Sequence, residues 1–153
     1  MPFRITGLQP QAFTHLFGLS DAELAAHGAR RYCGEGLPDR IELRDTRVHE
    51  SVILVNHEHQ PADTPYRSRH AIFVREGAGE AFDAVVGDVP EMLRSRLLSL
   101  RAFDAAGMMV DADVVDGASA ASLIERLLAD EQVSCIHAHF ARRGCYAALI
   151  RRC

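Results

Sequence analysis

Tryptophan is absent from the 153 residues, and cysteine occurs only four times, at Cys33, Cys135, Cys145 and Cys153. None of the four forms a C-x-x-C pair, and they are too sparse for the disulfide framework of a small secreted domain, so they read as reduced thiols. No apolar run approaches the length of a membrane-spanning helix. The opening Met1-Pro2-Phe3-Arg4-Ile5-Thr6-Gly7 also lacks the apolar stretch of a signal peptide. The expectation is a cytoplasmic protein with no membrane partner. Excess positive charge is missing as well. With a formal net charge of −4, the chain offers no overall field to attract phosphate backbones, which argues against nucleic acid as a partner. Internal repeats, low-complexity tracts, a Walker or Rossmann glycine loop and an HExxH metal motif are all lacking.

What remains is ordinary globular composition, 48% hydrophobic and 25% charged, at a length that suits one domain with a continuous core. Phe3 to Leu8 reads as a strand. Phe13, Leu16 and Phe17 share a face of a helical stretch begun at Pro10. Ser20 and Glu23 form a capping box ahead of a short helix closed by Gly28. Strands are expected over Ala29 to Cys33, Arg40 to Leu43 and His70 to Arg75. Val52-Ile53-Leu54-Val55 reads as a central strand covered on both faces. Leu97 to Ala102 and Met108 to Val115 flank an Asp104/Gly107 turn as an antiparallel pair. Ser119 to Ala129 carries Leu123, Ile124, Leu127 and Leu128 at helical spacing. Val133 to Phe140 and Cys145 to Ile150 close the chain as a hairpin. The pattern predicts a single α+β domain: a largely antiparallel or mixed sheet with helices packed on one face.

Of eight histidines, five fall in two groups: His57, His59 and His70 around one loop, and His137 and His139 on one strand. Alternation puts His137 and His139 on one face with Cys135, and His57 and His59 on the face of Ile53 and Val55 if that strand extends so far. Imidazoles two apart on a strand can ligate one ion, with a further ligand from a neighbouring strand. His57, His59, His137 and His139 are therefore candidate ligands for zinc or iron. The competing reading is that they are rim or core histidines bonded to backbone. Whether the two groups meet is not legible in the sequence.

A second constellation, Tyr66, Arg67 and Arg69 with Arg142 and Arg143 of the closing hairpin, suits a phosphate or carboxylate through charge-assisted hydrogen bonds. Against it stands the plain alternative of solvated arginines in surface ion pairs. Cys145, just past the hairpin turn, is a candidate nucleophile beside His139. With a four-residue loop from Ala141 to Gly144, Tyr146 pairs with His139, and with a loop shorter by one bulge residue the partners shift. Buried structural cysteine is the commoner outcome. Asp111 and Asp113 share a strand face that suits a hard cation, against the commoner reading as the solvated side of an edge strand.

The blocks Asn56-His57-Glu58-His59-Gln60-Pro61, Thr64-Pro65-Tyr66-Arg67-Ser68-Arg69-His70-Ala71-Ile72-Phe73-Val74-Arg75-Glu76 and Gly144-Cys145-Tyr146-Ala147-Ala148 make the chain resemble a bacterial family designated domain of unknown function 1203. The resemblance spans nearly the whole chain, including Phe3-Arg4-Ile5-Thr6-Gly7-Leu8. It implies a small stand-alone bacterial protein and carries no activity or catalytic residues with it. From the residues themselves the expectation is a small-molecule enzyme or binding protein with a histidine-rich pocket, in which His70, His139 or Cys145 would act in catalysis. The alternative is a non-catalytic module that binds an anionic ligand or partner through the arginine and tyrosine loop. Oligomeric state is left open.

Overall fold

The computed structural model describes residues 2–153. In chain order the strands are β1 (Phe3–Thr6), β2 (Arg30–Cys33), β3 (Pro38–Asp39), β4 (Arg44–Asp45), β5 (Ser51–Gln60), β6 (Ser68–Arg75), β7 (Leu97–Phe103), β8 (Met109–Asp116), β9 (Cys135–Phe140) and β10 (Tyr146–Arg152). The helices are α1 (Asp21–Ala26), α2 (Glu91–Arg94) and α3 (Ala120–Leu128). The strands build two five-stranded sheets. One runs β1-β10-β9-β7-β8 and is antiparallel throughout. The other runs β2-β5-β6-β3-β4 and is antiparallel except where β3 meets β6.

Period-two alternation gives the first sheet two faces of opposite character. Leu98, Leu100 and Ala102 of β7, Ile136 and Ala138 of β9 and Ile150 of β10 are buried in one apolar cluster with Leu123, Ile124, Leu127 and Leu128 of α3. Each fully buried aliphatic side chain of this kind contributes about 2 kcal/mol relative to an exposed one. Arg126 of α3 reaches out to Asp111 and Asp113 of β8 at 3.4 and 3.1 Å and ties the helix to that edge strand. The opposite face carries Arg101, Cys135, His137 and His139, and it turns toward the second sheet.

The second sheet has its own apolar cluster, in which Ile53, Ile72 and Val74 pack with Phe13, Leu16, Leu24 and Ile41. Ile53 pairs with Val74, Val55 with Ile72 and His57 with His70, so one face runs from aliphatic to imidazole along the strands. Asp39 is fully buried and organises the connection to β3. Its Oδ1 accepts from Ile41 and Arg75 backbone amides at 3.0 and 2.8 Å, and its Oδ2 accepts from Glu42 at 2.7 Å.

The α+β expectation is overturned: 39% of the chain is strand and 18% helix, most of it in short pieces, so the fold is β-rich. The apolar spacing from Pro10 to Phe17 produces two 3₁₀ turns, Pro10–Ala12 and Thr14–Leu16, rather than an α-helix. Three residues per turn bury Phe13 and Leu16 just as well over so short a span. The Ser20/Glu23 capping box is present, but α1 is only six residues long. Arg40 to Leu43 is a turn flanked by the two-residue strands β3 and β4. A single helix-covered sheet is replaced by two sheets, because the polar face of the first is covered by the second sheet rather than by helices. No helix among the described residues is long and apolar enough to cross a membrane.

Candidate functional site

The closing hairpin supplies two of the histidines. Its register places Tyr146 opposite His139 and Leu149 opposite His137, with a bulge between Tyr146 and Ala148. The bulge turns Tyr146 onto the imidazole face. His139 is fully buried and His137 nearly so. His139 Nδ1 lies 2.9 Å from the Gly144 carbonyl oxygen. A carbonyl only accepts, so this nitrogen carries the proton and Nε2 keeps a lone pair.

The second sheet supplies the rest. β5 extends ten residues to Gln60, with a bulge between Glu58 and Gln60 that carries His59 toward the first sheet. His59 Nε2 and His70 Nδ1 are 2.6 Å apart, so one ring donates and the other accepts. His59 stacks on Tyr146 with centroids 5.0 Å apart at 6° and meets His139 edge-on at 5.0 Å and His137 at 5.8 Å.

One ring nitrogen from each of His59, His137 and His139 falls within 4.8 Å of the other two, and no carboxylate belongs to the group. His59 Nδ1, His137 Nδ1 and His139 Nε2 are buried without a hydrogen-bond partner. Polar atoms in that condition are uncommon and call for an explanation. Burial holds the imidazoles neutral, taking His59 and His139 down to about 3 and His137 to about 4. The same cause lowers His57 and His70 and raises the Tyr146 phenol.

A cleft of about 510 Å³ opens beside the cluster, lined by His57, His59, His137 and Tyr146 with Leu8, Phe103, Leu149 and Arg151 among its walls. Its rim is a junction of two loops. Thr64 Oγ1 donates to the Gly107 carbonyl at 3.3 Å and accepts from the Tyr66 amide at 3.1 Å. Gly107 has φ +83° and stands where a Cβ would collide with the Ala62 side chain.

The histidines of the two sequence groups thus share one site, with His57 at its edge: its ring lies 5.7 Å from Phe13 and 6.5 Å from Tyr146, outside the close triad. Two of the candidate arginines are engaged by a carboxylate. Arg67 and Arg69 pair with Glu58 at 3.3 and 3.2 Å, and Arg69 Nε donates to Asn56. Tyr66 packs edge-on against Phe103 at 6.3 Å. Arg142 and Arg143 are exposed on the hairpin turn and form no ion pair among the described residues. The Cys145 sulfur accepts from the buried Arg40 guanidinium at 3.0 Å, and no imidazole hydrogen-bonds to it. Arg40 also donates to the Tyr146 and Pro38 carbonyls and lies over the Phe140 ring, so it braces the hairpin from outside the cluster. Sequence reasoning missed Tyr146 as a wall of the site, and Arg101 and Arg151 beside it. Strand alternation outward from His137 was the signal that would have found the two arginines.

A family described as Protein of unknown function (DUF1203) matches residues 36–152. The chain belongs to the DUF1203 family. The segment matched to DUF1203 contains all five clustered histidines, Tyr146 and both flanking arginines, and omits β1, α1 and β2. No curated protein and no solved structure matches the chain.

Proposed function

We propose that this DUF1203 protein binds one divalent transition-metal ion at His59, His137 and His139 and presents it to a small molecule in the adjoining cleft. The observation that carries this reading is the convergence of three neutral imidazoles, two buried and His59 half-buried, each with a buried, unpartnered ring nitrogen. Neutral imidazole is the ligating form. An all-imidazole set favours zinc, iron, copper or nickel over magnesium or calcium, which prefer oxygen donors. The His139 hydrogen bond to the Gly144 carbonyl is the kind of contact that orients a ligating ring and fixes its tautomer. The His59 contact with His70 would do the same if His59 donates.

Tetrahedral zinc, bound at about 2.0–2.1 Å, needs ligand nitrogens about 3.4 Å apart. The spacing of up to 4.8 Å closes to that by rotation of the rings. Three protein ligands leave a fourth position for water or substrate, as in catalytic rather than structural zinc sites. A water held there would be acidified toward neutrality, which suits hydrolytic or hydration chemistry. Four unpaired cysteines support a reducing, cytoplasmic setting for this activity.

Cobalt(II) titration of metal-free protein tests the reading. One equivalent should produce the intense visible bands of a tetrahedral nitrogen site, absent in His137→Ala and in His139→Ala. A spectrum no different from cobalt in buffer would end it.

A further inference from the structure

The imidazole face of the first sheet also carries two arginines that no carboxylate neutralises. Arg101 of β7 is the cross-strand partner of His137, and its Nε donates to Ser99 Oγ at 3.3 Å. On the other side of β9, Cys135 and Ile136 align with Arg151 and Ile150 by continuation of the β10 register, and Arg151 lines the cleft. Adjacent strands lie about 4.8 Å apart, so His137 sits on a strand between the two guanidinium-bearing strands.

Most other arginines around the fold have an acidic partner: Arg31 has Glu76, Arg44 has Glu50, Arg75 has Glu42, Arg126 has Asp111, and Arg67 and Arg69 share Glu58. Arg101 and Arg151 form no ion pair among the described residues. Among the described residues the one acidic residue lining the cleft is Asp104, and its Oδ1 accepts from the Ala106 and Met108 amides of its own turn, both at 2.9 Å. The field is felt within the cluster: Arg101 acts against protonation of His59, His70, His137 and His139, and Arg151 against that of His137.

From this placement we infer that the cleft takes a small organic anion, whose carboxylate or phosphate group is held by Arg151 in the cleft wall and attracted by the charge of Arg101, which stands on the same sheet face outside the lining residues, and whose apolar body lies against Leu8, Phe103 and Leu149. The inference rests on the metal reading for what happens next to that anion, and it moves the anion site away from Arg67, Arg69, Arg142 and Arg143. Two guanidinium groups beside a divalent ion leave a concentrated positive charge that no ion pair offsets among the described residues. Guanidinium forks match both carboxylate and phosphate oxygens through charge-assisted bonds. The apolar walls favour a hydrocarbon-bearing acid over a bare inorganic ion.

The test uses cobalt-loaded protein titrated with benzoate, inorganic phosphate and uncharged benzamide, read by the visible spectrum and by calorimetry. Benzoate should bind saturably and perturb the cobalt bands, and benzamide should do neither. Arg151→Gln should weaken benzoate by about tenfold or more, the worth of a lost charge-assisted contact, and Arg101→Gln should weaken it by less, with cobalt bound at least as tightly in both. Phosphate binding in place of benzoate, with the same dependence on both arginines, supports the anion site and assigns phosphate esters as its class. Cobalt binding with no anion response, or anion affinity untouched in both variants, overturns the inference while leaving the metal site standing. If cobalt does not bind, the metal reading fails by itself, and calorimetry of benzoate on metal-free protein against the two variants still decides the anion site.

Discussion

The imidazole of His139 and the carbonyl of Gly144, five residues apart across the closing hairpin turn, are joined through Nδ1 at 2.9 Å. Because the carbonyl can only accept, His139 must be the Nδ1-protonated tautomer, with Nε2 bare. Long-range nitrogen–proton correlation spectra of metal-free protein at neutral pH should show that tautomer for His139. Zinc should shift the Nε2 resonance and leave the Nδ1 proton in place. An Nε2-protonated His139 would contradict the assignment of its ligand atom.

Acid should destabilise the metal-free protein earlier than it does most folds. An unfolded histidine titrates near 6.5, whereas His137 in the fold does so at about 4 and His59 and His139 at about 3. The unfolded chain therefore binds more protons between these values, and stability falls as pH falls. The contribution is fully present above about pH 6.5 and drains away toward the folded values. Urea midpoints should be level above neutrality and decline below it, and a His137→Gln/His139→Gln double variant should flatten that decline. A wild-type profile level down to pH 4.5 would count against neutral buried imidazoles.

Far from the site, Glu76 links three segments. It accepts from Arg31 Nε at 2.5 Å and Nη2 at 2.9 Å, from the Gly18 amide at 2.9 Å and from Ser51 Oγ at 2.9 Å. The Arg31 hydrogen bonds hold its carboxyl at about 2. Glu76→Gln should lower unfolding free energy by about 1.5–3 kcal/mol, the range for hydrogen bonds to a charged group. Chemical denaturation measures it, and a loss below about 0.5 kcal/mol would place the pair with inconsequential surface bridges.

Gly107 holds the rim of the cleft. Its φ of +83° and the proximity of the Ala62 side chain leave no room for a Cβ. Gly107→Ala should cost about 1–3 kcal/mol in thermal or urea unfolding through backbone strain. It should also shift backbone amide resonances around Thr64 and Tyr66, which the Gly107 carbonyl anchors. Unchanged stability would mean that the two loops are not coupled.

How much of this was legible in the sequence depends on what each feature needs. Of the two β9–β10 registers the sequence allows, the structure has the one with a four-residue loop from Ala141 to Gly144, which puts Tyr146 opposite His139, and alternation puts His137 on the same face. The β7–β8 pair and α3 follow from periodicity. The second sheet did not, because β3 and β4 are two residues each and carry no period to read. Nor did the meeting of His59 with His137 and His139, which depends on one bulge at the end of β5 and on packing between sheets. The buried Arg40 was read as part of a strand, because nothing local marks a guanidinium that will find its acceptors more than 100 residues away, at Cys145 and Tyr146.

Zinc stoichiometry is the most direct measure of the central claim. Untagged protein, equilibrated with micromolar zinc and dialysed against metal-free buffer, would be analysed by elemental mass spectrometry beside His139→Ala and His57→Ala. The account predicts close to one zinc per chain in the wild type and in His57→Ala, and none in a folded His139→Ala. No retained zinc in the wild type, or equal retention in all three, would contradict it.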